Sequence, residues 1–419
     1  MELSPPRGTE DLLPPASGVM RALYERAHLT AELYGYRYVE TPAFEDTELF
    51  ARTSGQTSDV VSKEMYTFLD RSDRSLTLRP EGTAPVVRAY LAHANELGSP
   101  FKGYYVNHSW RYNRPQKGRL REFRIFGAEV LGVADPGADV EVISLAARFI
   151  GDLGIAQVDL EVNSIGDEVC RPAYRQALLE YLEAQAPRLR DEHRERFREN
   201  PLRVLDCKDE ACREVAQDAP RITDHLCAPC KEHFDAVLAG LAEEGIEARV
   251  ETLLVRGLDY YTRTAFEFVH RQLSRSQSTV CGGGRYDGLA EVLGGPATPA
   301  VGFGLGLDRA VLALEAEGLQ VEAPGGVTAF VVAFGTGAAE KGRALLSQLR
   351  AAGVAGESAF GERPLKAQLR MADRTGARFA VIIGEREAAA GEATVRRLDD
   401  GNQQTVPLTD VPTWLQGAT

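Results

Sequence analysis

Apolar positions along the chain repeat first with a helical and then with a strand period. Val19, Leu23, Ala27 and Ala31 recur every four residues and Gly35 follows, which predicts a helix over 18–34. Short apolar or alternating runs come next, at 75–78, 103–106, 123–131 and 158–162, then at 248–254, 265–269, 279–281 and 300–305. Between them, 84–96 and 139–153 read as helices, the second with Val140, Ile143, Ala147 and Ile150 on one face. Runs 103–106 and 123–131 have a basic loop and no helix between them, so they predict an antiparallel sheet.

The pattern changes at 172–245, where charged helical segments surround four cysteines and no strand is evident. This stretch reads as a helical insertion within a unit spanning 1–322. A Gly- and Pro-rich linker, Glu322–Gly326, precedes a strand-helix-strand-helix-strand order with two later strands and a final helix. That order predicts a separate α/β domain over 327–419 with right-handed crossovers. The fold class expected is α+β.

The 419 residues suit two or three domains, and 44% hydrophobic with 26% charged residues suits a folded soluble chain. No apolar stretch approaches the roughly 18 residues of a membrane span. Residues 1–15 carry acids and lack the apolar core of a secretory signal, and six cysteines are too few for a disulfide scaffold. The cytoplasm is the compartment expected. A net charge of −13 argues against a surface that coats nucleic acid throughout. Lys102–Arg124 nevertheless holds seven basic residues against one acid, a local place for phosphates or a solvated charged hairpin. The last 95 residues carry +1 against −14 for the first 324, which suits a tail more tolerant of a polyanion.

Four segments carry residue types that packing does not call for. Glu81, Gly82 and Thr83 end a strand and open a helix, with Thr83 as the expected N-cap. In 109–132, a Pro115–Gly118 turn would bring Arg111, Arg121 and Glu129 to one surface. In 253–268, Arg256, Asp259, Tyr260 and Tyr261 meet at a strand-to-turn junction. In 300–309, Gly302, Gly304 and Gly306 alternate along a strand before Asp308 and Arg309, leaving one sheet face bare for a flat or bulky ligand. The cysteines are ambiguous. Cys207, Cys212, Cys227 and Cys230 fall within 24 residues, and the second pair forms a CxxC zinc half-site. The looser first spacing fits thiols that are simply buried, and neither reading gives them a catalytic role. Cys170 has no partner visible in the sequence.

Taken together, these segments resemble the bacterial histidyl-tRNA synthetase family of class II aminoacyl-tRNA synthetases over essentially the whole chain. Thr41–Gly55 resembles class II motif 1, the dimer-interface element; 109–132 resembles motif 2, and GFGLGLDR resembles motif 3. LVRGLDYY and GGGRYDGL resemble the two stretches particular to the histidine family. The resemblance implies an antiparallel catalytic sheet flanked by helices, and a C-terminal anticodon-binding domain. It implies ATP, with magnesium, and histidine as substrates, tRNA(His) as partner and a homodimer as assembly. Arg111, Arg119, Arg121, Gly302, Gly304 and Arg309 would hold ATP. Glu81, Thr83, Glu129, Arg256, Tyr260 and Tyr261 would hold histidine, and Arg256 with Arg111 would serve the reacting carboxylate and α-phosphate. Arg114 and Gln116 would approach the tRNA acceptor end.

Two departures stand out. Asn113 replaces the usual carboxylate, and Phe123, Arg124 and Ile125 stand where Phe-His-Gln is usual. They keep open an alternative, the histidine-sensing regulatory subunit of ATP phosphoribosyltransferase, which resembles the catalytic core but generally lacks the C-terminal domain.

Overall fold

The computed structural model describes residues 3–53, 63–205, 207, 209–255, 260–321 and 325–418. Its contacts divide the chain into two compact units, Met1–Glu322 and Ala323–Thr419. The first unit contains β1 (Arg37–Tyr38), β2 (Phe44–Asp46), β3 (Tyr66–Leu69), β4 (Ser75–Leu78), β5 (Phe101–Trp110) and β6 (Glu122–Leu131). It continues with β7 (Val158–Ser164), β8 (Ala248–Val250), β9 (Thr262–His270), β10 (Thr279–Arg285) and β11 (Ala300–Gly306). Eight of these form one sheet in the order β1-β5-β6-β11-β10-β9-β7-β8, and β2-β4-β3 form a small separate sheet. The large sheet is antiparallel throughout its interior; the edge pairs β1/β5 and β7/β8 are parallel.

The period-2 alternation of strands sorts the two faces of this sheet. Val301, Phe303 and Leu305 of β11, with Phe126, Ala128 and Val130 of β6, point into the main core. There they meet Leu23 and Ala27 of the helix Ala16–Leu33, Ile143 and Phe149 of the helix Pro136–Asp152, and Ala310 and Leu314 of the helix Leu307–Glu317. The intervening residues, Ile125, Gly127 and Glu129 of β6 and Gly302 and Gly304 of β11, face the other way. The helix Thr83–Leu97 covers part of that second face through Val86, Val87 and Tyr90. The rest is left for the site.

Strand β10 runs further than the 279–281 run predicts, through Gly282, Gly283 and Gly284 to Arg285. It is clamped between β9 and β11, and a Cβ on Gly283 would lie 2.2 Å from the Gly302 carbonyl oxygen. Here close strand approach overrides the weak strand propensity of glycine. From Arg171 to Glu243 the described residues form helices and no strand.

The second unit holds β12 (Ala329–Ala333), β13 (Gly356–Ser358), β14 (Phe379–Ile383), β15 (Glu392–Arg397) and β16 (Gln403–Pro407) in the order β13-β12-β14-β15-β16. Strands β13, β12 and β14 are parallel, and β15 and β16 are antiparallel additions. Ala329 and Val331 pack on one face of β12 and Phe330 and Val332 on the other, so this strand is buried on both sides, as parallel strands generally are. No described helix is long and apolar enough to cross a membrane.

Candidate active site

Glu129 lies at the centre of the second face and is fully buried. Its Oε1 accepts hydrogen bonds from the Thr83 hydroxyl at 2.7 Å and the Tyr105 hydroxyl at 3.0 Å, and its Oε2 accepts from the Tyr286 hydroxyl. All three donors are neutral. Burial therefore pushes the Glu129 carboxyl up to about 8, against the lowering effect of those bonds. Gly302 is required beside it, since a Cβ there would fall 1.6 Å from Glu129 Oε2.

Glu81 is buried next to this group and is likewise shifted upward by burial. It, rather than Thr83, caps the following helix. Glu81 Oε2 accepts from the Thr83 N–H at 2.6 Å and Oε1 from the Ala84 N–H at 3.0 Å, while Thr83 is the first helical residue. The Thr83 hydroxyl is thereby released to reach Glu129. Tyr260 lies tilted beside Tyr261, with ring centroids 4.8 Å apart, and edge-on to Tyr286 at 5.7 Å. The tyrosines, Glu81, Thr83 and Glu129 thus form one pocket wall.

A cationic wall adjoins it. Arg111 donates from Nε to the Pro80 carbonyl at 2.8 Å and lies over the Phe123 ring. Arg309 donates to the Thr279 carbonyl. Burial holds the Arg309 guanidinium below the ordinary arginine value, and the positive charges of Arg119 and Arg111 push it the same way. Arg119, which pairs with Glu64 at 3.5 Å, completes a recess of three cations, a charge arrangement suited to a polyanion. Its floor is Gly304. This residue is exposed between the buried Phe303 and Leu305, and the nearest atom to a Cβ there would be Ile125 Cγ2, at 3.7 Å.

Other expected site residues fall differently. The Arg121 guanidinium lies over the Tyr112 ring at 3.8 Å and donates to the carbonyls of Asn113 and Arg7, so the geometry does not bring it into the group of Arg111, Arg119 and Arg309. Arg114 and Gln116 are exposed on the β5–β6 loop. The loop tip is held through Lys117 to Glu315 at 3.1 Å. Arg256 lies outside the described residues, as do Asp259 and the end of the Thr41–Gly55 motif.

The two departures have local explanations. Buried Asn113 accepts from Arg119 at 2.8 Å, so an amide oxygen positions that guanidinium. Arg124 points to the core side, where it binds Asp308 at 2.7 Å and Glu10 at 3.4 Å, while Ile125 occupies the site face beside Gly304.

Sequence reasoning missed Tyr105 and Tyr286 as partners of Glu129. The signal lay in Gly127 and Gly82, where a Cβ would come within 2.2 and 2.3 Å of the Tyr105 ring. Of the two readings left open for the cysteines, a single cluster of Cys207, Cys212, Cys227 and Cys230 is not what the fold assembles. Cys227 and Cys230 gather with Cys170 and Asp167, whereas Cys207 and Cys212 gather with His193. Cys170, alone in the sequence, acquires partners because the fold brings positions 57 residues apart together.

The first unit thus carries a glycine-floored antiparallel sheet with a carboxylate pocket beside an arginine recess, and the chain has a separate α/β unit. Residues 8–310 match the sequence family described as Histidyl-tRNA synthetase, and residues 328–418 match the Anticodon binding domain. The chain belongs to the histidyl-tRNA synthetase family. It is 50% identical over 412 residues to the histidine–tRNA ligase of Moorella thermoacetica, covering 98% of this chain and 97% of that one. It is 48% identical over 409 residues to that of Rhodococcus erythropolis, covering 97% and 96%. The apo histidyl-tRNA synthetase of S. aureus superposes with a TM-score of 0.83 at 35% identity, covering 99% of this chain and 100% of that one. Ligase relatives spanning nearly the whole chain, C-terminal domain included, do not favour the regulatory-subunit alternative.

Proposed function

We propose that this protein activates histidine with ATP and transfers it to tRNA(His). The observation that carries the reading is Glu129, a buried carboxylate ringed by neutral hydroxyls, facing the same cleft as three arginines. A ligand with an N–H-bearing ring at one end and a phosphate-reactive carboxylate at the other fits both walls.

In this reading Glu129 and Tyr261 take the imidazole with Tyr260 beside them, and Glu81 and Thr83 take the α-amino group. The amino-acid carboxylate is already ionised, so attack on the α-phosphorus needs no general base. The site must supply alignment and positive charge instead. Arg111 serves the α-phosphate and Arg256 the reacting carboxylate, while Arg309 and Arg119 hold the distal phosphates over Gly302 and Gly304. The forked guanidinium grips two oxygens and keeps its proton, which suits a crowded polyanion. Magnesium accompanies ATP, held mainly by phosphate oxygens. The exposed Arg114 and Gln116 meet the acceptor end of tRNA, and residues 328–418 bind its anticodon.

The small β2-β4-β3 sheet exposes Phe44, Phe68 and Leu69. This apolar surface supports a homodimer, and the cytoplasm is the compartment where tRNA charging takes place. The test is pyrophosphate exchange into ATP, which should require histidine, followed by charging of tRNA. No exchange at saturating histidine and ATP would reject the reading.

A further inference from the structure

Away from the cleft, Asp167 and Cys170, where the helical insertion leaves β7, converge with Cys227 and Cys230 at the start of its last helix, Ala228–Glu243. One ligand atom from each lies within 4.8 Å of every other. The Cys170 thiol donates to Asp167 Oδ1 at 3.4 Å, and the Cys227 thiol lies 3.9 Å from the same oxygen. The Cys227 backbone N–H donates to Cys170 Sγ at 3.1 Å. Cys170 and Cys230 are buried. The other carboxylate oxygen, Oδ2, is turned to Arg263 at 3.7 Å, so Oδ1 is the oxygen that faces the sulfurs.

We propose that these four residues form a structural zinc site. Three sulfurs and one oxygen, mutually close and with two of the thiols buried, match the ligand number and softness of a closed tetrahedral site, in which zinc–sulfur bonds of about 2.3 Å place sulfurs a little under 4 Å apart. A disulfide would use two of the three thiols and leave the third beside the carboxylate. The local backbone is built for the cluster. Gly166 turns with φ +63°, Asp167 Oδ1 accepts from the Val169 N–H at 3.0 Å, and Cys227 is the N-cap of the helix Ala228–Glu243. The thiols bind as thiolates and release their protons to solvent.

The position gives the metal its purpose. Arg171, next to Cys170, donates to the Ile165 carbonyl at 3.2 Å and to the Tyr261 carbonyl. Zinc here ties the start of the insertion to the N-terminus of its last helix, one residue from a contact to the pocket tyrosine.

The full-length protein, purified under reducing conditions, should carry zinc. After its removal, Co(II) should give tetrahedral d–d bands and a thiolate charge-transfer band. Cys170→Ser and Cys230→Ser should abolish both signals. Cys212→Ser, in the separate His193 group, should leave them intact and so identifies any metal held there. Asp167→Cys should retain the metal and strengthen the thiolate band, which keeps the proposal testable even where a serine variant fails to fold. Failure of the folded wild-type protein to bind zinc or Co(II) at micromolar concentration would overturn it. So would a cobalt signal lost in Cys212→Ser but kept in Cys230→Ser.

Discussion

Two carboxylates lie fully buried on opposite faces of the same sheet, and their surroundings differ in kind. On the core side, Asp139 meets Arg285, itself fully buried, through Nε at 3.1 Å and through Nη2; His233 Nε2 lies 3.3 Å away. Arg285 also donates to the carbonyls of Val133 at 2.8 Å and Asp135 at 3.2 Å. Burial pushes Asp139 up, but the His233 and Arg285 contacts together hold it below the usual carboxylate range. On the cleft side, Glu129 meets hydroxyls and no cation among the described residues, and it is pushed up to about 8. The first group neutralises its charge within the fold and serves structure. The second is left electrostatically incomplete, which is the condition of a site that waits for a ligand.

The comparison breaks most visibly through Arg285. Arg285→Ala strands a buried Asp139 charge and should cost about 3–5 kcal/mol of unfolding free energy by urea titration. Glu129→Gln should do the reverse. Stability should hold or rise, while histidine-dependent exchange falls by about 100-fold, the worth of one buried charge-assisted contact. If both variants lose stability equally, the contrast between a structural and a functional carboxylate is wrong.

The neighbouring glycines sharpen the same contrast. A Cβ at Gly302 collides with Glu129, whereas a side chain at Gly304 enters open space. Gly304→Val should therefore leave melting temperature nearly unchanged, because valine suits a strand better than glycine by up to about 1 kcal/mol. It should nonetheless raise KM for ATP by about tenfold or more. An unaltered KM would move the nucleotide off this floor.

How much of this the sequence disclosed depends on how local each signal is. Gly302, Gly304 and Arg309 announce themselves because alternating glycines serve no packing purpose on a strand. The strand-loop-strand around Arg111 follows from turn residues within one short window. Arg285, Asp139 and His233 were not legible as a group, since each looks ordinary alone and the three stand on separate elements. Tyr105 and Tyr286 read as core aromatics until the sheet register turned their hydroxyls onto Glu129. Thr83 was misread as a cap because Glu81, two residues earlier, reaches the same N–H groups. The two thiol groups escaped for the opposite reason: spacing along the chain suggested one cluster, and Cys170 is distant in sequence.

The pH dependence of stability isolates Glu129 most cleanly, because it needs no substrate. Between the ordinary carboxylate value of 4.5 and about 8, the folded chain keeps a proton on Glu129 that the unfolded chain has lost. The unfolded state then binds fewer protons, so the contribution is fully present below pH 4.5 and is lost as pH rises through 8. Asp139 behaves oppositely: its shift lies below the ordinary value, so its contribution is lost only in acid. Urea unfolding of the wild-type and Glu129→Gln proteins between about pH 5 and pH 8 should show the variant's relative stability growing by up to about 1.4 kcal/mol per unit. A difference that stays flat across that window would mean Glu129 is already ionised in the free protein, with a cation supplied by the chain itself, and the incomplete pocket would no longer distinguish the two faces.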